Sequence, residues 1–493
     1  MRGRRAVYRG AMAIRRLCRA APIAAALCLA GCGAEETGPI AVSAIGGPPR
    51  LANPNLQPLD PPSAFLTEAV AQGLVRFDSN GEIEPALAQS WIFSDDGLRY
   101  TFRIRRAQWA DGSPVTAQQV AARLRAALSR ASRNPLKPVL GAVESVTPMT
   151  AFVLEISLRG PRPNFLQLLA QPELAIVQNG LGTGPYRVRG AEAGGTRLSF
   201  IRGEDEEVRA ETPDILLRGE RSAIAVARFA ADEAELVVGG TAGDLPIARA
   251  ADLPANRLVL DPVGGMFGLA FTAGAPQIDD PAVRRALAMA LDRDGLAAAL
   301  APRLAARTSL VAPGVQELPA PVQPDWAAAP LDQRRALAAR TISGLGLEAP
   351  IRLRVAMPDG PGYRLAFAYL QRDWRMIGVQ SERVAMGAPA ELVLVDQVAP
   401  ANLASWYLRH FTCDASALCD PAADQALLAA RLAPRAADRR AQLANAERIL
   451  TELVPFIPLT APVRWSLVAP RLTGFRPNAF ARHPAVVLIA ERQ

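Results

Sequence analysis

The chain has 493 residues, half of them hydrophobic, enough to bury two or three domain cores. Its formal charge of +8 points to a polyanionic partner only until the charge is located. Residues 1–31 hold seven arginines and no acid, and taking those seven from 55 basic residues leaves 48 against 47 acidic ones. That near-neutrality removes the electrostatic case for a nucleic-acid partner.

The arginine-rich start runs into AAPIAAALCLAG, residues 20–31, a dozen apolar or small positions. A membrane span takes roughly 20 apolar residues, so this shorter run has the layout of an export signal. Arg15-Arg16 fits a twin-arginine signal poorly, and Met12 opens a segment that is already a complete signal. Leu29-Ala30-Gly31-Cys32 resembles the lipobox of bacterial lipoproteins, in which the cysteine becomes an acylated first residue. Acyl chains on one residue hold a domain at a membrane without a spanning helix. The alternative is an ordinary signal peptide with an incidental cysteine. We expect a signal peptide over 1–31 and a lipidated tether over 32–39, with Cys32 as the lipid site.

Residues 41–45, AVSAI, read as a first strand, followed by a Pro/Gly/Asn-rich loop ending at LDPP, 59–62. A helix near 64–74 leads to LVRFD and the turn SNG. LRYTFRIR then alternates, with Leu98, Tyr100, Phe102 and Ile104 on one face, which is a half-buried strand. Asp111-Gly112 and Pro114 make a turn, and Thr116 with Gln119 forms a capping box that opens a helix. AFVLEISL, 151–158, is another strand, and GLGTGPYRV, 180–188, a glycine-rich bend entering one. DDPAVRRALAMALDRDGL, 279–296, reads as one helix capped by Asp280 with Pro281 in its first turn. Another helix spans about 364–377. AELVLVD, 390–396, is a buried strand ending at Asp396, and a helix at about 436–453 precedes VPFIPL. Strands and helices interleave throughout, so the fold class is mixed α/β.

Catalytic signatures are missing. There is no Gly-x-Ser-x-Gly and no P-loop; GLGTG lacks a following Lys-Ser/Thr and reads as a tight bend. Asp95-Asp96 and Asp279-Asp280 sit where carboxylates cap backbone amides, and GEDEEVRAE, 203–211, reads as a solvated loop. His410 beside Trp406, Tyr407 and Phe411 reads as a packed residue. With only His410 and His483, and no paired metal-ligand spacing, we expect no metal, no cofactor and no enzyme. In an exported chain Cys413 and Cys419, six positions apart, are expected to form a disulfide rather than stay free.

Several spaced segments resemble the extracytoplasmic solute-binding proteins of family 5, the oligopeptide-, dipeptide- and nickel-binding components of ATP-driven (ABC) importers. They are, in chain order, LDP at 59–61, the stretch from LTEAVAQGLVRFD to WADGSPVTAQQV, GTGPYRV at 182–188, DDPAVRRALAMALDRDGL, and ADRRAQLANAERILTELVPFIPL. The resemblance implies a two-lobed, hinged periplasmic-binding-protein-like fold with an additional inserted α/β domain. Lobe I would comprise 40–70, 181–262 and 468–493, the inserted domain 71–180, and lobe II 263–467. The chain would work as a monomer, closing on a short peptide between the lobes and docking on a membrane permease. A sugar, opine or metal chelate is the alternative ligand, and a sensor or assembly partner without transport the alternative role.

Peptide-binding members of the family place an aspartate after a buried strand, where it pairs with the peptide amine. Asp396 in DQVAPANL matches that acid, with Gln397 in place of the aromatic that follows it; a capping aspartate at a strand end is the alternative. GGMFGLAF, 264–271, matches the segment crossing into the second lobe, so Met266 and Phe267 are candidate cleft residues, with core packing as the alternative. Trp406 is a candidate of the same kind. The chain departs from the family after Arg202, and no arginine matches a peptide-carboxylate anchor; Arg364, Arg372 and Arg375 lie on a helix whose charges read as solvated.

Overall fold

Among the described residues, apolar runs and crossover helices build two large open sheets and a smaller antiparallel one, beside two short two-stranded ribbons. A computed structural model describes residues 38–489 apart from 193, 202–211, 273–275 and 347–349. The expected export signal, Cys32 and the acidic run 203–211 therefore lie outside the described residues.

The first sheet is built around Ile40–Ile45, whose sequence IAVSAI is buried along most of its length. It pairs in parallel with both Ile215–Glu220 and Leu236–Thr241, and the helix Ser222–Ala230 makes the crossover between those two. A central parallel strand covered on both faces reads as a continuous apolar run. The full order is 186–192, 195–200, 215–220, 40–45, 236–241, 464–468, 258–260. The second sheet has the order 380–385, 352–357, 392–398, 265–271, 456–460, with the helix Pro361–Arg375 as its crossover.

The chain passes from the first sheet to the second after Leu260 and returns at Arg464, and the two crossings are joined by a hydrogen bond from Asp261 N–H to Arg464 O (3.0 Å). The return comes four residues before the boundary expected at 468, because Arg464–Val468 pairs with both 236–241 and 258–260.

The third sheet lies within the expected insertion and runs 88–93, 99–104, 153–158, 143–150, all antiparallel. Arg99–Ile104 alternates as its sequence predicts, with Tyr100, Phe102 and Ile104 buried. Thr116 and Gln119 exchange both hydrogen bonds of the capping box at the head of Ala117–Leu128, and the Trp109 indole donates to Gln119 Oε1. The hydrophobic core under this sheet is not private to it. Leu310–Leu318 and the helices Ala404–Leu408, Pro421–Leu432 and Ala436–Leu453, placed by the sequence in lobe II, contribute to the same cluster.

Three elements differ from expectation. The predicted helix 279–296 is two, Pro281–Met289 and Arg293–Leu300. The break arises because Asp292 caps the second helix through Gly295 N–H, while its own N–H is held by Asp373. The first long helix is Pro61–Val70, started earlier by Asp60, whose carboxylate accepts from Ser63 N–H. The strand thought to end at Asp396 runs Leu392–Val398.

Candidate functional site

A cavity of about 680 Å³ is walled by the ends of both large sheets and by a third body, the segment 71–180 that carries the third sheet. Its size falls within the range for small-molecule sites, roughly 300–1,000 Å³. The first sheet supplies Val238–Thr241 and Arg464–Ser466, the second Gln397 and Val398, and the third body Leu136, Gln171 and Glu173.

One wall is acidic. Glu68 is the single charge of the helix Pro61–Val70, and burial pushes its carboxyl up to about 6, opposed by Arg482 and reinforced by Glu173. Arg482 is shared: its Nε lies 3.8 Å from Glu68 and its Nη2 3.5 Å from Glu173. His483 beside it contacts Asp261, 3.2 Å away, and Asp261 also accepts from Asn478 N–H. The bend GTGPYRV docks beneath this wall. Gly184 N–H donates to the last helical carbonyl, Val70 O (2.9 Å), and a Cβ on Gly182 would lie 2.2 Å from that same oxygen. The glycines therefore serve close backbone approach to a helix end that needs a donor.

The centre of the site is a cross-sheet ion pair. Arg464 Nη1 donates to Asp396 Oδ1 (2.7 Å), and Arg464 Nη2 donates to the Asp396 backbone carbonyl (3.1 Å). The Tyr363 hydroxyl donates to Asp396 Oδ2 (2.8 Å) and lies 3.2 Å from Thr241 Oγ1. Burial, then the neighbouring carboxylate, holds the Tyr363 phenol well above its ordinary range, so it stays a donor. The Asp396 side chain is 8 % exposed.

Another wall follows the helix Ala404–Leu408. His410 packs edge-on against Trp406, with Nδ1 2.8 Å from Trp406 O. That carbonyl only accepts, so Nδ1 carries the proton. Burial lowers the ring's pKa, and its Nε2 lies 3.2 Å from Gln397 Oε1. Cys413 and Cys419 are bonded, with Cα atoms 5.0 Å apart, and pin the loop that brings Ala415 to the cavity.

Of the sequence-predicted residues, Trp406 lines the cavity. Met266 and Phe267 do not: at 2 % and 1 % exposure they belong to two hydrophobic cores, on the strand that pairs Phe267 with Asp396 and Met266 with Gln397. Asp396 lies just behind the wall, on its Arg464 partner. Arg372 is engaged with Asp373 and Asp292 and, like Arg364 and Arg375, lies away from the cavity. Sequence reasoning missed Glu68, Arg464, Arg409 and Arg482. A lone charge inside an apolar helix (AFLTEAV) or strand (VRWSLV) was the available signal for the first two.

Residues 82–406 match the family described as bacterial extracellular solute-binding proteins, family 5 Middle. The chain belongs to this family. Family 5 is a family of solute-binding proteins rather than enzymes. The nickel-binding periplasmic protein of Escherichia coli strain K12 is 28 % identical over 269 residues, half of this chain and half of that one. The family 5 chain thus spans about half the length of that curated relative. Its fold is that of Haemophilus influenzae OppA in complex with RPPGFSPFR (TM-score 0.79, 17 % identity, 91 % of this chain and 98 % of that one). The Escherichia coli murein tripeptide binding protein MppA is equally similar (TM-score 0.79, 20 % identity, 92 % and 98 %). The fold is therefore the two-lobed periplasmic-binding-protein α/β fold.

Proposed function

We propose that this chain is the exported substrate-binding receptor of an ABC importer that captures short peptides between its lobes and delivers them to a membrane permease. The observation that carries the reading is the cavity of about 680 Å³ at the meeting of both large sheets and the third body, in a chain of family 5. Two similar structures support peptide as ligand, one holding RPPGFSPFR and one described as a murein tripeptide binding protein. Peptide is favoured over a bare metal ion because, among the described residues, no three His, Cys, Asp or Glu side chains group to hold one. Trp406 and Gln397 contribute to the ligand wall. The lobes divide at the crossings after Leu260 and before Arg464, and the receptor acts as a monomer tethered by lipid at Cys32. Among the described residues no helix is long and apolar enough to cross a membrane.

The test is a thermal-shift screen of the purified protein against two- to five-residue peptides, with sugars and opines as controls. Free ligand at about 100 times its dissociation constant adds roughly 2.7 kcal/mol to the folded state. Stabilisation by peptides and not by controls is the expected result; stabilisation by controls alone removes the peptide assignment.

A further inference from the structure

The polar and charged groups on the cavity wall differ in whether they already have partners. Arg464 is committed to Asp396, Arg482 to Glu68 and Glu173, and His483 to Asp261. Arg409 is different. It lines the cavity at the end of the helix carrying Trp406, and among the described residues its guanidinium has no hydrogen bond and no ion pair. The acids nearest it are used elsewhere. Glu317 accepts from Arg439 through Oε1 and from Ser405 N–H through Oε2, and Asp424 accepts from Cys413 N–H through Oδ2, while its buried Oδ1 has no hydrogen-bond partner and does not reach Arg409. The surrounding charge is positive: Arg431 and Arg439 both act on Arg409, and burial together with these neighbours brings its pKa down to about 10, which leaves it charged at neutral pH. A half-buried, charged guanidinium that makes no hydrogen bond or ion pair within the described residues offers a planar fork to a carboxylate.

We infer that Arg409 is the anion receptor of this cavity, docking a carboxylate of the bound solute, while the carboxylate of Asp396 is withheld from the ligand by Arg464. This rests on the cavity being the ligand site and adds the ligand's chemistry: it is an acid. For a peptide, Arg409 would hold the C-terminal carboxylate or an acidic side chain.

The test is calorimetric titration of the purified protein and of Arg409→Gln and Arg409→Lys with matched acids and amides. Trialanine and trialanine amide form one pair, and glutarate and glutaramide the other. In wild type the acid of a bound pair should exceed its amide by about tenfold or more, the loss expected when a charge-assisted hydrogen bond is removed. Arg409→Gln should erase that preference, and Arg409→Lys should retain part of it. Acid and amide binding equally to wild type would overturn the role of Arg409 while leaving a peptide receptor intact. Preference for glutarate with no binding of either trialanine form would keep Arg409 and remove the peptide reading. Binding of neither acid, or an acid preference that survives in Arg409→Gln, overturns the inference.

Discussion

The Asp396–Arg464 pair joins the two large sheets, and its removal separates a structural role from a ligand-anchoring one. In Asp396→Ala, Arg464 loses its carboxylate partner, and Tyr363 keeps only Thr241 Oγ1 at 3.2 Å. Breaking a fully buried pair by deleting one partner costs about 3–5 kcal/mol. Here Arg464 is 16 % exposed at the cavity wall and keeps its hydrogen bonds to the carbonyls of Val463 and residue 396. Solvent screening and those surviving bonds bring the expected cost to about 2–3 kcal/mol. At about 2.1 cal/mol/K of unfolding entropy per residue, and roughly 450 residues unfolding together, that lowers Tm by about 2–3 °C. Calorimetric melting of wild type, Asp396→Ala, Arg464→Ala and the double variant gives the coupling, expected at about 1–3 kcal/mol. Ligand affinity measured on the same proteins should change little in Asp396→Ala. A variant that melts with wild type but loses ligand a hundredfold would refute the reasoning and restore Asp396 as the anchor.

Gly182→Ala puts a methyl group 2.2 Å from the Val70 carbonyl oxygen and should destabilise by about 1–3 kcal/mol in urea unfolding, whereas Gly314→Ala, with open space around it, should show only the cost of its positive φ, about 1 kcal/mol; equal effects would dismiss the close-approach argument. Glu447 is 0 % exposed, and burial pushes its carboxyl up from 4.5 to about 7, opposed by the N–H groups of Val322 and Val311. The folded chain therefore holds a proton that the unfolded chain has released between those values, so the contribution of this residue to stability is fullest below pH 4.5 and declines as pH rises to 7. Glu447→Gln should flatten the dependence of the urea midpoint on pH in that window, and an unchanged slope would assign the dependence elsewhere. Thr116→Ala removes the acceptor for Gln119 N–H and should cost about 1 kcal/mol, read from the same unfolding curves; no loss would show that the capping box contributes nothing to stability.

What the sequence by itself determined is local. The alternation in LRYTFRIR, the Thr116/Gln119 box and the Asp280-Pro281 start come through as strand, cap and helix, because each depends on residues a few positions apart. The α/β class and the family were legible for the same reason, as a chain order of such local signals. Tertiary structure decided the charges. Asp396 and Arg464 are 68 positions apart, and Glu68 meets Arg482 from the opposite end of the chain. Ion pairing depends on distance through space, which the sheet order sets and sequence separation does not encode. A small strand extension mattered as much. Successive side chains in a strand point to opposite faces, so continuing 392–398 past Asp396 puts Gln397 on the cavity wall and turns Asp396 toward Tyr363 and Arg464. Arg409, one of many arginines in the sequence, stands out only when the partners of all the others on the wall are known.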